Sequence, residues 1–157
     1  MKKLIDCITF FDNNFMFEIR YKILNEFVDC FVICESKYDH QNNPKKINFK
    51  FQEFYDKSKI IHLVCDKKFP IDNTSWENQA YQREFLLNNL SIFDKEDYIF
   101  FSDPDEIPNP NILLNFELKK KFGIFKQKCF NFKFNLFNQY ESPWEGTRVA
   151  MKKNIKS

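Results

Sequence analysis

The sequence contains little glycine and little histidine, and both shortages exclude common kinds of site. Gly123 and Gly146 are the only two glycines among 157 residues, so the chain has neither a Walker phosphate loop nor the glycine-rich turn of dinucleotide-binding folds. His40 and His62 lie far apart and have no paired Cys or His spacing, which argues against a zinc site. Any phosphate that the protein binds must be held in another way, for example by a metal ion on carboxylates.

Long apolar runs and paired cysteines are also lacking. The N-terminus begins like a signal peptide, but Asp6 interrupts the apolar run, and no stretch approaches the roughly 20 apolar residues that cross a bilayer. The cysteines are odd in number and lack a Cys-x-x-Cys spacing, so we interpret them as reduced core thiols: Cys7, Cys30, Cys34, Cys65 and Cys129. These features predict a cytoplasmic protein without a membrane span.

Charge gives no indication of a nucleic-acid partner. The formal net charge is +2, and residues of both signs are scattered along the chain without long blocks of one sign. The 43% apolar content is enough for one sizeable core. We therefore expect a single domain over residues 1–157.

The residues that are abundant form an alternation of strand and helix patterns. Short apolar runs predict strands buried on both faces, at residues 4–11, 28–34, 60–65 and 98–101. Helical patterns follow them, at residues 16–27, more weakly at 47–55, at 75–90 behind a capping box of Thr74 and Glu77, and from Asn109 to the lysines before Gly123. We interpret Trp76, in the third helix, as a core residue. The alternation predicts an α/β, Rossmann-like sheet, mainly parallel, flanked by helices on both faces.

The pattern changes after Gly123. Apolar residues at positions 130, 132, 134 and 136 alternate with polar ones, which predicts a half-buried antiparallel strand and hence a mixed sheet. Residues 147–151 also read as a strand, and little chain follows them. We therefore expect an open sheet edge there, and with it self-association or a missing C-terminal partner.

Three carboxylates follow the fourth predicted strand. Asp103 and Asp105 are two residues apart, so in extended backbone they project from the same side, and Glu106 adds a third acid. Ligands bind outside the carboxyl ends of strands in open α/β sheets. A divalent cation, Mg²⁺ or Mn²⁺, would relieve the repulsion among these groups and leave coordination positions for a diphosphate. The alternative is a solvated turn in which an Asp caps a helix.

Other polar residues near predicted strand ends are candidates for ligand contacts. Glu35 and Ser36 follow the second strand, where an acid can accept hydrogen bonds from a base or a ribose, although an ordinary polar pair is the alternative. Lys45 lies in a polar loop and could reach a diphosphate or simply be solvated. Arg20 and Arg83 lie on apolar helix stripes, where a guanidinium needs a carboxylate or a phosphate; for Arg20 a structural ion pair is the preferred interpretation.

The sequence resembles glycosyltransferase family 17. The motifs that carry the resemblance are Glu18-Ile-Arg20, VDCFVICES at residues 28–36, Pro44-Lys45, and DYIFFSDPDEIP at residues 97–108. The resemblance implies a GT-A-like nucleotide-sugar-binding domain and inverting transfer from a UDP-sugar donor, such as UDP-N-acetylglucosamine, to a glycan acceptor. It assigns Asp103 and Asp105 to the metal, and Glu35, Arg20 and Arg83 to family positions around the donor.

The chain also departs from the family pattern. Asn13 and Phe15 stand where the family has acids, Asn43 replaces a glycine, and a C-terminal Trp-His segment of the family is absent from this sequence. For the general base that inversion requires, Glu106 is the one candidate we nominate. Two other functions stay open: a non-catalytic nucleotide-sugar or glycan-binding remnant, and a phosphohydrolase with an aspartate nucleophile, which Glu106 after the Asp-x-Asp disfavours.

Overall fold

The computed structural model describes residues 2–132 and 135–155, which form a six-stranded sheet with helices on both faces. The strands are β1 (Leu4–Phe10), β2 (Cys30–Ser36), β3 (Ile60–Cys65), β4 (Tyr98–Ser102), β5 (Phe122–Gln127) and β6 (Trp144–Met151). The helices are α1 (Asn14–Leu24), α2 (Ser75–Asn88) and the short α3 (Pro110–Leu113), with 3₁₀ turns at Lys57–Lys59 and Lys152–Asn154. No described helix is both long enough and apolar enough to cross a bilayer.

The sheet order is β3-β2-β1-β4-β6-β5. The pairings β1–β2, β1–β4 and β2–β3 are parallel, whereas β6 runs antiparallel to both β4 and β5. The predicted α/β, Rossmann-like and mainly parallel sheet is therefore confirmed, including its mixed character. β3 is predicted to the residue, and the predicted bounds of β1, β2 and β4 differ from the observed ones by one or two residues.

Each face of the parallel strands is covered by one long helix. On one face, Phe17, Tyr21 and Leu24 of α1 are buried in a cluster with Ile8 and Phe31 of the strands. On the other face, buried residues of α2 and the strands form a second cluster that includes Leu86, Ile5, Val32 and Ile99. Full burial of one such side chain stabilises the fold by about 1.5–3 kcal/mol. Because both faces of these strands are buried, nearly every position in them is apolar, and the continuous apolar runs made the strands predictable.

The capping box that starts α2 is present as predicted. The Thr74 hydroxyl accepts from the Glu77 backbone amide, and the Glu77 carboxylate accepts from the Thr74 backbone amide. Trp76 was expected in the core, but it lies in the first turn of this helix and is 80% exposed, so that expectation is wrong. The cap fixes the start of the helix at Ser75. The face of the helix that packs on the sheet carries Asn78, Gln82 and Leu86, and Trp76 lies on the solvent side.

Two predicted helices differ from the structure. Residues 47–55 are not helical, because the buried Glu35 carboxylate accepts hydrogen bonds from the backbone amides of Asn48 and Phe49 and holds this segment as a loop. The helix that begins at the Asn109 cap ends at Leu113, since Asn115 has a positive φ of 58° that a helix does not accommodate.

The antiparallel strand predicted at residues 130–136 is also wrong. On the side of β6 away from β4 the pairing strand is β5, and the described residues of the later segment contribute a bridge between Phe130 and Phe137. Phe132 has a φ of 62° and is 99% exposed, which breaks an extended run, while Lys133 and Phe134 lie outside the described residues. Gly123 allows β5 to approach β6, because a Cβ there would lie 3.2 Å from the Val149 side chain.

The predicted strand at residues 147–151 exists, but the expectation of an open edge at it is wrong. β6 lies between β4 and β5 and pairs with both, so the edges of the sheet are β3 and β5. The self-association that we expected from this strand therefore has no basis in its pairing.

The cysteines are free thiols, and the prediction that they lie in the core is correct for four of them and wrong for Cys129. Cys7, Cys30, Cys34 and Cys65 are buried in or beside the parallel strands, and Cys129 is partly exposed. Burial raises the pKa of Cys34 to about 12 and that of Cys30 to about 11, so both remain protonated at neutral pH.

Candidate functional site

A cleft of about 320 Å³ opens at the carboxyl ends of β1, β2 and β4. The strands that follow β1 are added on one side of it, as β2 and β3, and then on its other side, as β4. Ligands of open α/β sheets bind at the point where the strand order reverses in this way. Four of the residues that we nominated from the sequence line this cleft: Ser36, Lys45, Asp103 and Asp105. The fold therefore brings together side chains that are up to 69 positions apart along the chain.

Arg20 shapes the acidic turn that follows β4. Its Nε and Nη2 atoms bind both oxygens of Asp6 on β1 at 2.7 and 2.6 Å, and Nη2 also lies 2.6 Å from the Ser102 hydroxyl. Nη1 donates to the backbone oxygens of Asp103, Pro104 and Glu106 at 3.1–3.3 Å. Arg20 is fully buried, so the ion pair that we preferred for it is present, and it anchors the turn through its backbone.

Asp103 points toward α2, where it meets Arg83. The Arg83 Nη2 atom lies 3.1 Å from Asp103 Oδ1, and both side chains are roughly one third exposed. The guanidinium also stacks over the Phe101 ring, and its buried Nε atom has no hydrogen-bond partner in the described part of the chain. Arg83 thus lies beside the cleft residue Asp103, and its unpartnered Nε atom is shielded from solvent.

Asp105 lines the same cleft and is exposed to solvent. Within residues 2–132 and 135–155, no three Cys, His, Asp or Glu side chains converge closely enough to form a complete metal site. Two carboxylates on one cleft do fit a Mg²⁺-type ion that takes its remaining ligands from substrate phosphates and water. Asp103 and Asp105 both line the cleft, with the Asp103 carboxylate paired to Arg83, whereas the Glu106 carboxylate is directed toward Trp144.

Both carboxylate oxygens of Glu106 are engaged within the protein. Oε2 accepts from the Asp103 backbone amide at 3.1 Å, and Oε1 accepts from the Trp144 indole Nε1 at 2.7 Å. The Glu106 backbone oxygen also accepts from the Thr147 hydroxyl at 2.8 Å. Glu106 therefore connects the acidic turn to the first residues of β6.

Glu35 is fully buried and holds the loop that follows β2. Its Oε1 atom accepts from Lys45 Nζ at 2.6 Å and from the Asn48 amide at 2.7 Å, and its Oε2 atom accepts from the Phe49 amide. His62 Nε2 lies 3.3 Å from Oε2, but its orientation does not form a hydrogen bond. Burial lowers the pKa of His62, and the nearby Glu35 carboxylate opposes that shift only in part.

Two cleft residues, His40 and Gln82, were not identified from the sequence. His40 Nε2 lies 2.9 Å from Gln82 Oε1, and the Gln82 amide donates to the Cys34 backbone oxygen at 2.9 Å. The signal was present in α2, where Asn78 and Gln82 lie on the same buried stripe as Leu86. Polar side chains on an apolar stripe indicate a required hydrogen-bonding role.

Comparison with known proteins gives one family. The profile of glycosyltransferase family 17 matches residues 1–144. A solved structure with some likeness is the 2-C-methyl-D-erythritol 4-phosphate cytidylyltransferase of Francisella tularensis, with 12% sequence identity, a TM-score of 0.43, and coverage of 98% of this chain and 74% of that one.

Two curated relatives have the same name, beta-1,4-mannosyl-glycoprotein 4-beta-N-acetylglucosaminyltransferase. The protein of Rattus norvegicus is 27% identical over 120 residues, covering 68% of this chain and 22% of the relative. The protein of Homo sapiens is 28% identical over 106 residues, covering 59% of this chain and 19% of the relative. The chain spans about a fifth of the length of these relatives. Because the family profile covers most of the chain, including β1 to β5 and the acidic turn, this protein belongs to glycosyltransferase family 17.

Proposed function

We propose that this chain binds a nucleotide-sugar donor and acts in a metal-dependent, inverting transfer of a sugar to a glycan acceptor. The observation that carries the proposal is the cleft at the ends of β1, β2 and β4, where Asp103 and Asp105 lie together. The names of the relatives support N-acetylglucosamine as the sugar and a mannosyl glycoprotein as the acceptor. UDP is the nucleotide that the family resemblance favours.

In this proposal Asp103 and Asp105 hold Mn²⁺ or Mg²⁺. When bound, the ion would neutralise charge on the diphosphate that leaves the sugar. Ser36 offers a hydroxyl at the cleft wall, and Lys45 adds a positive charge there while its Nζ atom remains paired with Glu35. Glu35 then contributes by fixing Lys45 and the loop backbone around the nucleotide.

Arg83 is proposed to contact the diphosphate. Its guanidinium lies beside Asp103 and is about one third exposed, so its accessible part can reach a phosphate that a cation holds on Asp103. Arg83→Lys should weaken UDP binding and leave thermal stability nearly unchanged, because the ion pair with Asp103 is partly exposed. Arg148→Lys is the matched control, and equal UDP affinity in both variants would remove Arg83 from the site.

The metal site is tested by thermal shift with UDP. A ligand at roughly a hundred times its dissociation constant adds about 2.7 kcal/mol to stability, which raises the melting temperature by several degrees for a chain of this size. UDP with Mn²⁺ should produce this shift, and UDP with EDTA a much smaller one. In Asp105→Asn the metal-dependent part should disappear, whereas the exposed control Glu53→Gln should retain it. A shift that is the same with and without metal would contradict the proposal.

One observation favours a second function, that of a non-catalytic binding remnant. Glu106, the nominated general base, has both carboxylate oxygens occupied by donors of the protein itself. A base must accept the acceptor's proton, so Glu106 would first have to exchange one of these partners. Turnover of UDP-N-acetylglucosamine in the presence of mannose oligosaccharides distinguishes the two functions, since a remnant binds UDP without producing a new glycoside.

A further inference from the structure

Trp144 lies beside the acidic turn although it is 38 positions after Glu106 in the chain. β6 runs antiparallel to β4, and Phe101 pairs with Arg148, so the first residues of β6 extend past the end of β4. Four residues of strand reach about 13 Å, which carries Trp144 alongside the turn of Asp103 to Glu106. The antiparallel direction of β6 is therefore what places an indole at the ligand-binding edge of the sheet.

The Trp144 ring is exposed, yet it is held in place at two points. Its backbone pairs with Gln127 at the end of β5, and its Nε1 atom donates to Glu106 Oε1 at 2.7 Å. The Gln127 side chain in turn donates to the Ile107 backbone oxygen and accepts from the Thr147 amide. Nearly half of the Trp144 surface remains accessible to solvent.

Such an arrangement is unnecessary for a residue that serves only to fill the core. Burial of an indole stabilises a fold because its apolar surface is removed from water. Trp144 contributes less of this free energy, because nearly half of its surface stays in contact with water. A rigid exposed ring, with its N–H satisfied at one edge, leaves an apolar face available to a ligand at low conformational cost. Exposed carboxylates of Asp105 and Glu145 lie on the turn and on the neighbouring strand residue.

We propose that Trp144 is the platform for a sugar ring of the acceptor, and that Glu106 is the positioning residue that fixes it. The C–H face of a pyranose would pack on the indole, and its hydroxyls would face the acidic turn that carries the exposed Asp105. This assignment deepens the proposed function and rests on it, because the ring is bonded to the acidic turn whose Asp103 and Asp105 line the cleft where the donor would bind. It also gives Glu106 a role in which both of its observed hydrogen bonds are used.

The two tryptophans of the chain permit a direct test by fluorescence. In Trp76→Phe the emission comes from Trp144 alone, and in Trp144→Phe it comes from Trp76 alone. Mannotriose should change the emission of the first variant in a saturable way and leave that of the second unchanged. If mannotriose leaves the emission of Trp144 unchanged, or changes the emission of Trp76 equally, the proposal that Trp144 binds the sugar is overturned.

Variants of Glu106 test the positioning role. The amide oxygen of Glu106→Gln can still accept from the indole N–H, whereas Glu106→Ala cannot. By ligand-observed NMR, the mannotriose affinity of the Gln variant should stay within about twofold of the unaltered protein, and that of the Ala variant should fall by about fivefold or more, the loss expected for about one hydrogen bond. Equal affinities in Gln and Ala would refute the role of Glu106.

The same experiments separate the platform from the proposed function. The UDP and Mn²⁺ thermal shift depends on Asp103 and Asp105 and requires no sugar acceptor. A normal UDP shift with no Trp144 response would disprove the platform and leave donor binding standing. A Trp144 response without any UDP shift would support the sugar platform and disprove the donor assignment.

Discussion

The part of the chain from residue 4 to 102, the parallel region, and the part from 103 to 155, the antiparallel region, are built differently. Nearly all buried apolar side chains among the described residues belong to the parallel region, and the antiparallel region contributes only Leu113 and Val149. Both regions expose large apolar side chains, but the antiparallel region has a similar number of them in about half the length, among them Phe122, Phe132, Tyr140 and Trp144. The comparison shows that stability resides in the first region, while the second supplies surface around the cleft.

The largest expected effect is the loss of Arg20. Arg20→Met leaves Asp6 as an uncompensated buried charge and removes the donors that hold the acidic turn, so the free energy of unfolding should fall by about 3–5 kcal/mol. Arg148→Met, in the antiparallel region and exposed, should change it by less than about 0.5 kcal/mol. Urea unfolding followed by circular dichroism measures both. Similar losses in the two variants would break the comparison.

Two leucines provide a matched test of packing. Leu86 is fully buried under the sheet, and Leu86→Ala should cost about 2–5 kcal/mol because it removes contacts and leaves a cavity. Leu136 is 48% exposed, and Leu136→Ala should cost less than about 0.5 kcal/mol. The midpoints of urea denaturation report the difference. A cost at Leu136 comparable to that at Leu86 would show that the antiparallel region has a core of its own.

Helix caps give a smaller contrast. Thr74→Ala removes the cap of a 14-residue helix packed on the sheet and should cost about 1 kcal/mol. Asn109→Ala removes the cap of a four-residue helix, so less structure depends on it and the expected cost is under about 0.5 kcal/mol. Melting temperatures of the two variants, measured side by side, decide the point. A larger loss at Asn109 would reverse the predicted order.

The smallest predicted effect is a pH dependence in the parallel region. Burial lowers the pKa of His62 below its ordinary value of 6.5, so the unfolded chain binds a proton more readily than the folded one. The free energy of unfolding should therefore decrease as the pH falls below about 6.5, until the pH reaches the pKa of the folded state. His62→Gln should remove this part of the slope. Identical pH profiles for the two proteins between pH 7 and pH 5 would count against it.

The same contrast between regions decided what could be predicted from sequence. Strands β1 to β4 are continuous apolar runs, and a run buried on both faces specifies its own structure. The loop at residues 47–55 has a helical apolar spacing, but the carboxylate of Glu35, distant in sequence, determines its backbone. In the antiparallel region, the alternation of apolar and polar residues at 130–136 predicted a strand. The strand that pairs with the outer side of β6 is instead β5, whose register shifts between Ile124 and Lys126.

The candidate site was predictable where it follows a strand. Asp103, Asp105 and Ser36 lie at the predicted edge because the ends of parallel strands meet there. Gln82 was not identified although its place on the apolar stripe of α2 offered a signal. Trp144 was not identified because its position depends on the antiparallel return of β6, which no local pattern specifies. The roles of the residues nominated from the sequence in ligand, metal or catalytic chemistry remain predictions, and they concern Glu35, Ser36, Lys45, Arg83, Asp103, Asp105 and Glu106.

The position of β6 also has a consequence for the order in which the chain folds. β5 pairs with β6 and with no other strand among the described residues, so it cannot join the sheet until β6 has been synthesised. The strand pairings among β1 to β4 require no residue beyond Ser102, so these pairings can form first on the ribosome. Until β6 pairs with it, one side of β4 has unpaired backbone N–H and C=O groups, and such an open edge favours aggregation. When β6 pairs with β4, it closes that edge and places Trp144 beside the acidic turn. Completion of the sheet and placement of Trp144 are therefore one event.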